Sequence, residues 1–163
     1  MALNVISDAA IDALICEAKT IPGGLFPLTK GQIERNQHRR KEHEIFCASG
    51  NCFVVALRQS TLNTLDFSVI LGYKLPGLNT VFRLRRYNGK SHYHTNTIER
   101  QTFHDFHIHT ATERYQRCGS REDHFAEISD RYWNLESAVE CLLGDCGFRL
   151  PIEDSPLFTG EGL

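Results

Sequence analysis

The sequence predicts an α+β fold in which helices cover one face of a mostly antiparallel sheet of five or six strands. Three observations predict it: helical spacing of apolar residues near the N-terminus, a central run of short segments with a two-residue period, and helical spacing again toward the C-terminus. The 163 residues suffice for one domain with a sizeable core, and a content of 41% hydrophobic and 23% charged residues is ordinary for a globular protein.

Helices are expected at the two ends of the predicted domain. Apolar residues on one stripe predict an N-terminal helix over residues 7–19, with Ser7 as its N-cap. Toward the C-terminus, the same spacing predicts two further helices over residues 121–133 and 135–148, the second of them capped by Asn134. We expect these helices to pack on one face of the sheet.

Between the helices, segments with a two-residue period predict the strands. Two turn signals, Gly50-Asn51 and Asn88-Gly89, each predict a hairpin between the segments that flank them. The predicted strand segments are residues 41–49, 52–59, 66–74, 81–87, 90–95 and 102–112.

We expect residues 1–150 to form a single domain and residues 151–163, which are acidic and interrupted by proline and glycine, to form a loose tail. No apolar run approaches the roughly 18 residues that span a bilayer. The N-terminus lacks the basic start and small-residue cleavage site of a signal peptide. These features predict a cytoplasmic protein with no membrane partner. None of the six cysteines forms a Cys-x-x-Cys pair, so the usual zinc-ribbon and thioredoxin spacings are absent.

The segment from Arg85 to Thr110 contains five of the eight histidines of the chain. The wider stretch from Val81 to Arg117 has seven Lys or Arg against three acidic residues and is therefore +4, which leaves −6 for the rest of a chain of net charge −2. A locally basic, histidine-rich strip on an acidic body is typical of a surface that binds an anionic ligand.

The Asn88-Gly89 turn would set the register of this strip. A two-residue loop at this point places Arg85 opposite His92 and Arg83 opposite His94. Because side chains alternate between the faces of a strand, all four would point to the same face.

The next predicted strand adds to this face. Phe106 and Ile108 are apolar and belong in the core, so Asp105, His107 and His109 are expected to point the other way. If the two strands are neighbours, one face carries two arginines, four histidines and an aspartate.

One interpretation of this face is metal-free acid–base chemistry on RNA, as in an endoribonuclease that needs no cofactor. Histidine has an unperturbed pKa of about 6.5, so one imidazole can accept a proton while another donates one. Arginines can hold a phosphate and stabilise the charge that develops on it. The predicted catalytic residues are His92, His94, His107 and His109, with His92 and His109 as the acid/base pair, and the predicted phosphate-binding residues are Arg83, Arg85, Arg86 and Arg114.

Neighbouring residues are expected to support this chemistry. Tyr87 and Tyr115 could stack on bases or donate a proton, and Asn96 and Glu99 lie at a loop tip beside the predicted face, where Glu99 could act as a general base. Asp105 is expected to lie next to the histidines.

Two other interpretations stay open. Two His-x-His pairs on neighbouring strands, His92, His94, His107 and His109, could converge on Zn²⁺, with Asp105 as a ligand or as the partner of one. Four flanking positive charges count against a divalent cation at that point. The third interpretation is a non-catalytic interaction protein, such as a phage-encoded inhibitor, in which the histidines only form part of a binding surface.

The stretch Arg86–Thr110, "RYNGKSHYHTN…FHDFHIHT", resembles an uncharacterised family of small bacterial and phage proteins of unknown function. More distantly, it is similar to the TumE-type toxins of bacterial toxin–antitoxin modules. Those have an arginine and an Asp or Asn before a turn, then a histidine, then a His-x-His on the next strand. The matching positions here are Arg86, Asn88, His92, His107 and His109. The resemblance implies a nucleic-acid-targeting protein that is neutralised by a partner such as an antitoxin.

Overall fold

The computed structural model describes residues 4–25, 32–34 and 37–151. These residues form three helices and eleven strands. In chain order they are α1 (Asp8–Cys16), β1 (Lys19–Thr20), β2 (Gln32–Glu34), β3 (His38–Phe46), β4 (Cys52–Ser60), β5 (Phe67–Lys74), β6 (Val81–Asn88), β7 (His94–Asn96), β8 (Gln101–Phe103), β9 (His107–Thr110), α2 (Glu113–Arg117), β10 (Ala126–Ile128), α3 (Leu135–Asp145) and β11 (Phe148–Arg149). The predicted loose tail, apart from Pro151, lies outside the described residues.

Seven strands form one antiparallel sheet in the order β10-β9-β6-β5-β4-β3-β2. Its centre, from β3 to β6, is a meander in which each strand pairs with the next along the chain. The predicted hairpin at Gly50-Asn51 is confirmed, because Phe46 at the end of β3 pairs with Cys52 at the start of β4. Together with the helices, this sheet confirms the predicted α+β fold class. No helix in the described part of the chain is long and apolar enough to cross a membrane.

Helices α1 and α3 cover one face of this sheet, as predicted. Both predicted N-caps are confirmed: the Ser7 side chain accepts from the amide of Ala10, and Asn134 and Ser137 form a reciprocal capping box. The buried side chains of the two helices pack against those that β4, β5 and β6 point to the same side. This core includes Ile11, Ile15, Val55, Leu57, Val69, Leu71, Leu84, Tyr87, Val139 and Leu142.

The first of the two predicted C-terminal helices is wrong. Residues 121–133 contain turns and the short strand β10, which extends the main sheet by pairing with β9. Tyr132 anchors the end of this segment in the core, where its hydroxyl lies 2.7 and 2.8 Å from the carbonyl oxygens of Asn88 and His107. These long-range contacts outweigh the weak helical spacing of the segment. A helix of five residues, α2, occurs instead directly after β9.

The predicted hairpin at Asn88-Gly89 is also wrong. β6 continues through Asn88 and pairs with β9, so that Arg86 lies opposite His109 and Asn88 opposite His107. Residues 90–95, which were expected to pair with β6, contribute instead to β7.

Gly89 is required by a close approach of two backbones and not by a tight turn. Its amide donates to the carbonyl oxygen of Phe67 at 2.9 Å. A Cβ atom at this position would lie 1.9 Å from the carbonyl oxygen of Leu65, which leaves no room for any other residue.

A β-bulge in β6 determines which arginines share a face. Arg83 and Arg85 pair with consecutive residues of β5, so Leu84 is an extra residue in β6. Leu84 and Arg85 therefore both point toward the helices, whereas Arg83 and Arg86 point to the opposite face. The prediction that Arg83 and Arg85 share a face is wrong, because it assumed strict alternation along the strand.

Strands β7 and β8 form a separate hairpin, with His94 paired to Phe103. The hairpin lies against β9 and β10 on the face opposite the helices. Asn96 fixes it there, because its side-chain nitrogen donates to the carbonyl of Ala126 at 2.8 Å and its side-chain oxygen accepts from the amide of Ala126 at 2.9 Å. One end of an otherwise helix-free sheet face is thus enclosed.

Candidate functional site

Three histidines converge beneath the β7–β8 hairpin. His107 and His109 are two residues apart in β9 and point to the face opposite the helices, as predicted, and the hairpin places His94 over them. The ring centroids are 4.7 Å apart for His94 and His109, 4.9 Å for His107 and His109, and 5.4 Å for His94 and His107. One ligating atom from each residue lies within 4.8 Å of those of the other two. We call these three residues the histidine cluster.

The histidine cluster is buried and its rings are held by oxygen acceptors. The exposed fractions of His94, His107 and His109 are 8%, 0% and 2%. One ring nitrogen of each histidine lies within hydrogen-bond distance of an oxygen atom: 3.0 Å from His94 Nε2 to Asn96 Oδ1, 2.7 Å from His107 Nδ1 to the Asp105 carbonyl, and 2.8 Å from His109 Nδ1 to the Asp123 carbonyl.

Burial lowers the pKa of all three imidazoles, because it disfavours the charged form. Burial, assisted by the positive charge of Arg86, lowers the pKa of His109 to about 2. Burial lowers the pKa of His107 to about 4, although the hydrogen bond to the Asp105 carbonyl opposes the shift. The pKa of His94 is also lowered by burial. The histidine cluster is therefore uncharged at neutral pH.

Other histidines lie at the rim of this cluster or away from it. His92, the fourth predicted catalytic histidine, is exposed, and its ring lies edge-on to that of His107 at a centroid distance of 5.8 Å. His124, which lies within the segment 121–133 that was predicted to be helical, has its ring 5.3 Å from that of His94. His104 instead contacts the exposed ring of Tyr93.

Arg86 lies beside the histidine cluster and is paired with Asp123. The Arg86 Nε–Asp123 Oδ2 distance is 2.9 Å, and Asp123 is fully buried. Arg121 approaches the other carboxylate oxygen at 3.7 Å. Sequence reasoning missed Asp123, because a buried acid in a long-range ion pair has no local signature. Its carboxylate balances the positive charge that was expected next to the histidines.

Two predicted residues of the site lie on the other side of the sheet. The Arg85 guanidinium is 3.4 Å from the hydroxyl of Tyr87 and 3.6 Å from Asp145 of α3. Tyr87 is fully buried in the core, and its hydroxyl donates to Asp145 at 2.6 Å. Arg85 and Tyr87 therefore cannot reach a ligand that lies at the histidines.

Three other predicted residues hold the tip of the β7–β8 hairpin. Arg114 Nε donates to Glu99 at 2.9 Å, and the hydroxyl of Tyr115 donates to the same carboxylate at 2.6 Å. Tyr115 is buried and cannot stack on a base. This network connects the loop between β7 and β8 to α2 and lies away from the three rings.

The predicted supporting residues Asn88, Asn96 and Asp105 do lie at the histidine cluster. Asn88 is buried, and its Nδ2 atom is 3.4 Å from Nε2 of His107. Asn96 and Asp105 orient His94 and His107 through the contacts described above, Asp105 by its backbone carbonyl.

A groove runs across the uncovered face of β3, β4, β5 and β6 and includes Arg86, which lies beside the histidine cluster. Its volume is about 500 Å³, and small or apolar side chains, among them those of Val54, Ala56 and Ile70, form its floor. Six basic and two acidic side chains line it: Arg40, Arg58, Lys74, Arg83, Arg86 and Arg121 against Glu42 and Glu44. We call this feature the open-face groove. The sequence predicted its residues Arg83 and Arg86, but Arg58 and Arg121 were missed because they lie outside the histidine-rich strip.

No family model, curated protein or solved structure matches this chain. The resemblance to small bacterial and phage proteins and to TumE-type toxins therefore stays a prediction, as does an antitoxin-like partner.

Proposed function

We propose that the chain binds single-stranded RNA in the open-face groove, through the phosphate backbone. The observation that carries this proposal is that basic side chains outnumber acidic ones six to two among the residues that line the groove, in a chain whose net charge is −2. A concave surface lined by one sign of charge concentrates the opposite charge. Neutralisation of phosphates by Arg and Lys supplies much of the affinity of proteins for nucleic acids.

Arg58 and Arg83 are the basic side chains best placed to contact phosphate. Arg40 is paired with Glu42, and Lys74 is paired with Glu44. Within the described residues, the side chains of Arg58 and Arg83 take part in no ion pair. Their guanidinium groups can therefore bind phosphate oxygens without first breaking an existing pair.

The lining of the groove favours sequence-independent binding. Sequence-specific recognition of single-stranded RNA uses aromatic side chains on which the bases stack. No aromatic side chain is among the described residues that line the open-face groove. The affinity is therefore expected to depend steeply on salt and weakly on base sequence, and single-stranded DNA should compete with RNA.

The geometry supports binding better than metal-free cleavage. General acid catalysis by histidine needs an imidazole that is protonated near neutral pH and reaches the leaving group. The low pKa values and burial of His107 and His109 give neither property. His92 alone among the four predicted catalytic histidines is exposed to solvent.

Fluorescence anisotropy with a labelled RNA of about ten nucleotides, within the range of single-strand site sizes, tests the proposal. The double variant Arg58→Ala/Arg83→Ala should lose at least about tenfold in affinity near 50 mM salt. It should also reduce the slope of log K against log salt by about 1.4, because each phosphate contact on a single strand contributes about 0.7.

The matched control is Arg39→Ala/Lys41→Ala, which removes the same charge from β3. These residues pair with Gln59 and Leu57 and lie on the side of the sheet that faces the helices. The control should keep the wild-type affinity and salt slope. Equal losses in both double variants, or no binding by the wild type at low salt, would contradict a specific role for the groove.

A further inference from the structure

We propose that His94, His107 and His109 together bind a divalent transition-metal ion, with Zn²⁺ as the first candidate. This inference goes beyond RNA binding and does not depend on it. It stands on the orientation of three rings, on an unsatisfied buried nitrogen and on the charge balance around the histidine cluster.

The hydrogen-bond partners fix which nitrogen of each ring is available. A carbonyl oxygen can only accept, so Nδ1 of His107 and Nδ1 of His109 must carry the proton. The Asn96 side-chain oxygen likewise accepts from Nε2 of His94, since the amide nitrogen of Asn96 is engaged with Ala126. Each ring therefore keeps a lone pair on its other nitrogen, which is the form that binds a metal.

This arrangement is the one that metal-binding histidines adopt in proteins. Such histidines donate the second ring N–H to a backbone carbonyl, a carboxylate or another acceptor, which fixes the ring orientation and the tautomer. Here two acceptors are backbone carbonyls and the third is an amide oxygen, which is itself anchored to β10. The partners that a metal centre needs behind its ligands are thus already in place.

The Nε2 atom of His109 gives a second, independent reason to expect a bound metal ion. This atom is buried and has no hydrogen-bond partner among the described residues. A buried polar atom without a partner costs about 1–3 kcal/mol, and most such atoms in folded proteins are satisfied. Nε2 of His107 is only weakly engaged, 3.4 Å from Nδ2 of Asn88. A metal ion would satisfy both nitrogens.

The distances allow coordination after a small movement. With Zn–N bonds of about 2.0–2.1 Å, the nitrogens of a tetrahedral site lie about 3.4 Å apart. One ring nitrogen of each histidine lies within 4.8 Å of one ring nitrogen of each of the other two, so the rings must close by roughly 1 Å. His107 and His109 are fixed on one strand, and we expect the β7–β8 hairpin that carries His94 to supply this movement.

The charge around the histidine cluster does not oppose a cation. Arg86, the nearest arginine, is balanced by the buried carboxylate of Asp123, and Arg85 points to the other side of the sheet. An all-imidazole ligand set suits Zn²⁺, Cu²⁺, Ni²⁺ or Fe²⁺ rather than Mg²⁺ or Ca²⁺, which prefer oxygen ligands. Three protein ligands also leave a coordination position open for water or another group.

The test is metal binding by untagged protein that has been stripped with a chelator and dialysed. Titration with Zn²⁺ should give one ion per chain in the presence of a weak competing chelator, and Co²⁺ should give the visible absorption of a low-symmetry, nitrogen-ligated site. Zn²⁺ should also raise the Tm, because it binds the folded chain. A stripped wild type that binds neither ion, or binds several Zn²⁺ ions weakly, would overturn the proposal.

Two histidine variants test whether the ion binds at the histidine cluster. His94→Ala, on the hairpin, should lower the Zn²⁺ affinity at least about a hundredfold and abolish the Tm shift, while circular dichroism shows the fold retained. The matched control His104→Ala removes a histidine outside the cluster and should bind like the wild type. Should His94→Ala not fold, the Co²⁺ spectrum of the wild type still decides. Equal affinity in the two variants would overturn the assignment.

The metal proposal and the RNA proposal fail separately. Arg58→Ala/Arg83→Ala should bind Zn²⁺ like the wild type, because neither arginine contacts a ligand histidine. Stripped wild type should still bind RNA, because phosphate contacts from the groove need no metal. RNA binding without Zn²⁺ binding would overturn only the metal centre, and Zn²⁺ binding without RNA binding would leave it standing.

Discussion

At the residue scale, Lys19 shows how one buried charge can join two helix ends. The residue is 2% exposed, and its ammonium nitrogen lies 2.8–3.0 Å from four backbone carbonyl oxygens, those of Leu14, Ile15, Glu17 and Cys146, which share its three N–H groups. The first three belong to the C-terminal end of α1 and the last caps α3. Helix C-termini carry partial negative charge, so a cation stabilises both at once.

Lys19→Met should therefore lower the free energy of unfolding by about 2–3 kcal/mol, since the methionine leaves buried carbonyls without donors. Urea denaturation followed by circular dichroism measures this change. Lys90→Met, which removes an exposed lysine after β6, is the control and should change the free energy of unfolding by less than about 0.5 kcal/mol. A loss at Lys19 no larger than in the control would contradict the joining role.

The types and spacing of residues in the sequence predicted the candidate site only in part. The sequence identified His94, His107 and His109 because they occur in His-x-His pairs, whose two members share a strand face. It gave Asp123 no role, although its carboxylate holds Arg86 and its backbone holds His109. Such contacts join residues that are distant in the chain, and a local pattern carries no record of them.

At the element scale, the β7–β8 hairpin encloses the histidine cluster and depends on Asn96. Asn96 is fully buried and makes three hydrogen bonds, two with the backbone of Ala126 and one with His94. Its replacement would leave the hairpin attached to β10 mainly through side-chain packing. The hairpin should then open more often than the sheet beneath it.

Asn96→Ala should accelerate amide hydrogen exchange in residues 94–103 while β5 exchanges as in the wild type, as hydrogen–deuterium exchange mass spectrometry would show. The expected loss of local stability is about 1–3 kcal/mol. Thr95→Ala removes an exposed hydrogen bond to Thr102 from the same hairpin and should have a much smaller effect. Uniform acceleration throughout the chain would contradict a local role.

The two wrong element predictions have related physical causes. The Asn88-Gly89 pair is a common hairpin signal, but here Gly89 serves a close approach to Leu65 after β6 has already paired with β9. The segment 121–133 has weak helical spacing, yet its backbone completes the ladder beside β9. In both places β9 offers backbone hydrogen bonds that the local sequence does not indicate.

At the scale of the whole molecule, the fold class was predictable because it depends on local periods. The capping residues and the periodic spacing of apolar residues predict the two capped helices and the meander of alternating strands. The position of β9 between β6 and β10, and of the β7–β8 hairpin above it, depends on pairing that skips intervening segments. The candidate site lies where those long-range pairings meet, and its assembly could not be derived from spacing.

The resistance of the whole fold to acid should depend on Asp145. This carboxylate accepts two hydrogen bonds from Arg131 and one from Tyr87, and it thereby joins α3 to the loop before it and to β6. Burial alone would raise the pKa of Asp145, but the hydrogen bonds from Arg131 and Tyr87 hold it below its ordinary value.

Because this pKa is lower in the folded state than the unfolded value of about 3.9, the stabilisation is complete above that value and is lost as the pH falls through the folded value. Asp145→Asn should therefore lower the free energy of unfolding by about 1–3 kcal/mol at pH 7, and the difference from wild type should shrink below about pH 4. Urea denaturation at several pH values measures it. The control is Glu140→Gln on the exposed side of α3, and a difference that persists unchanged at low pH would contradict the linkage.

Because of the bulge at Leu84, the effect of deleting one residue from β6 depends on where in the strand the deletion is made. Deletion of Leu84 would restore a strict two-residue period and leave every remaining side chain of the strand on its present side, at the cost of one buried leucine. Deletion of Arg86, on the C-terminal side of the bulge, would turn Tyr87 toward the open face of the sheet and Asn88 toward the helices. In β6, therefore, loss of Leu84 would have a local effect, whereas loss of Arg86 would exchange the side chains of the core with those of the open face of the sheet.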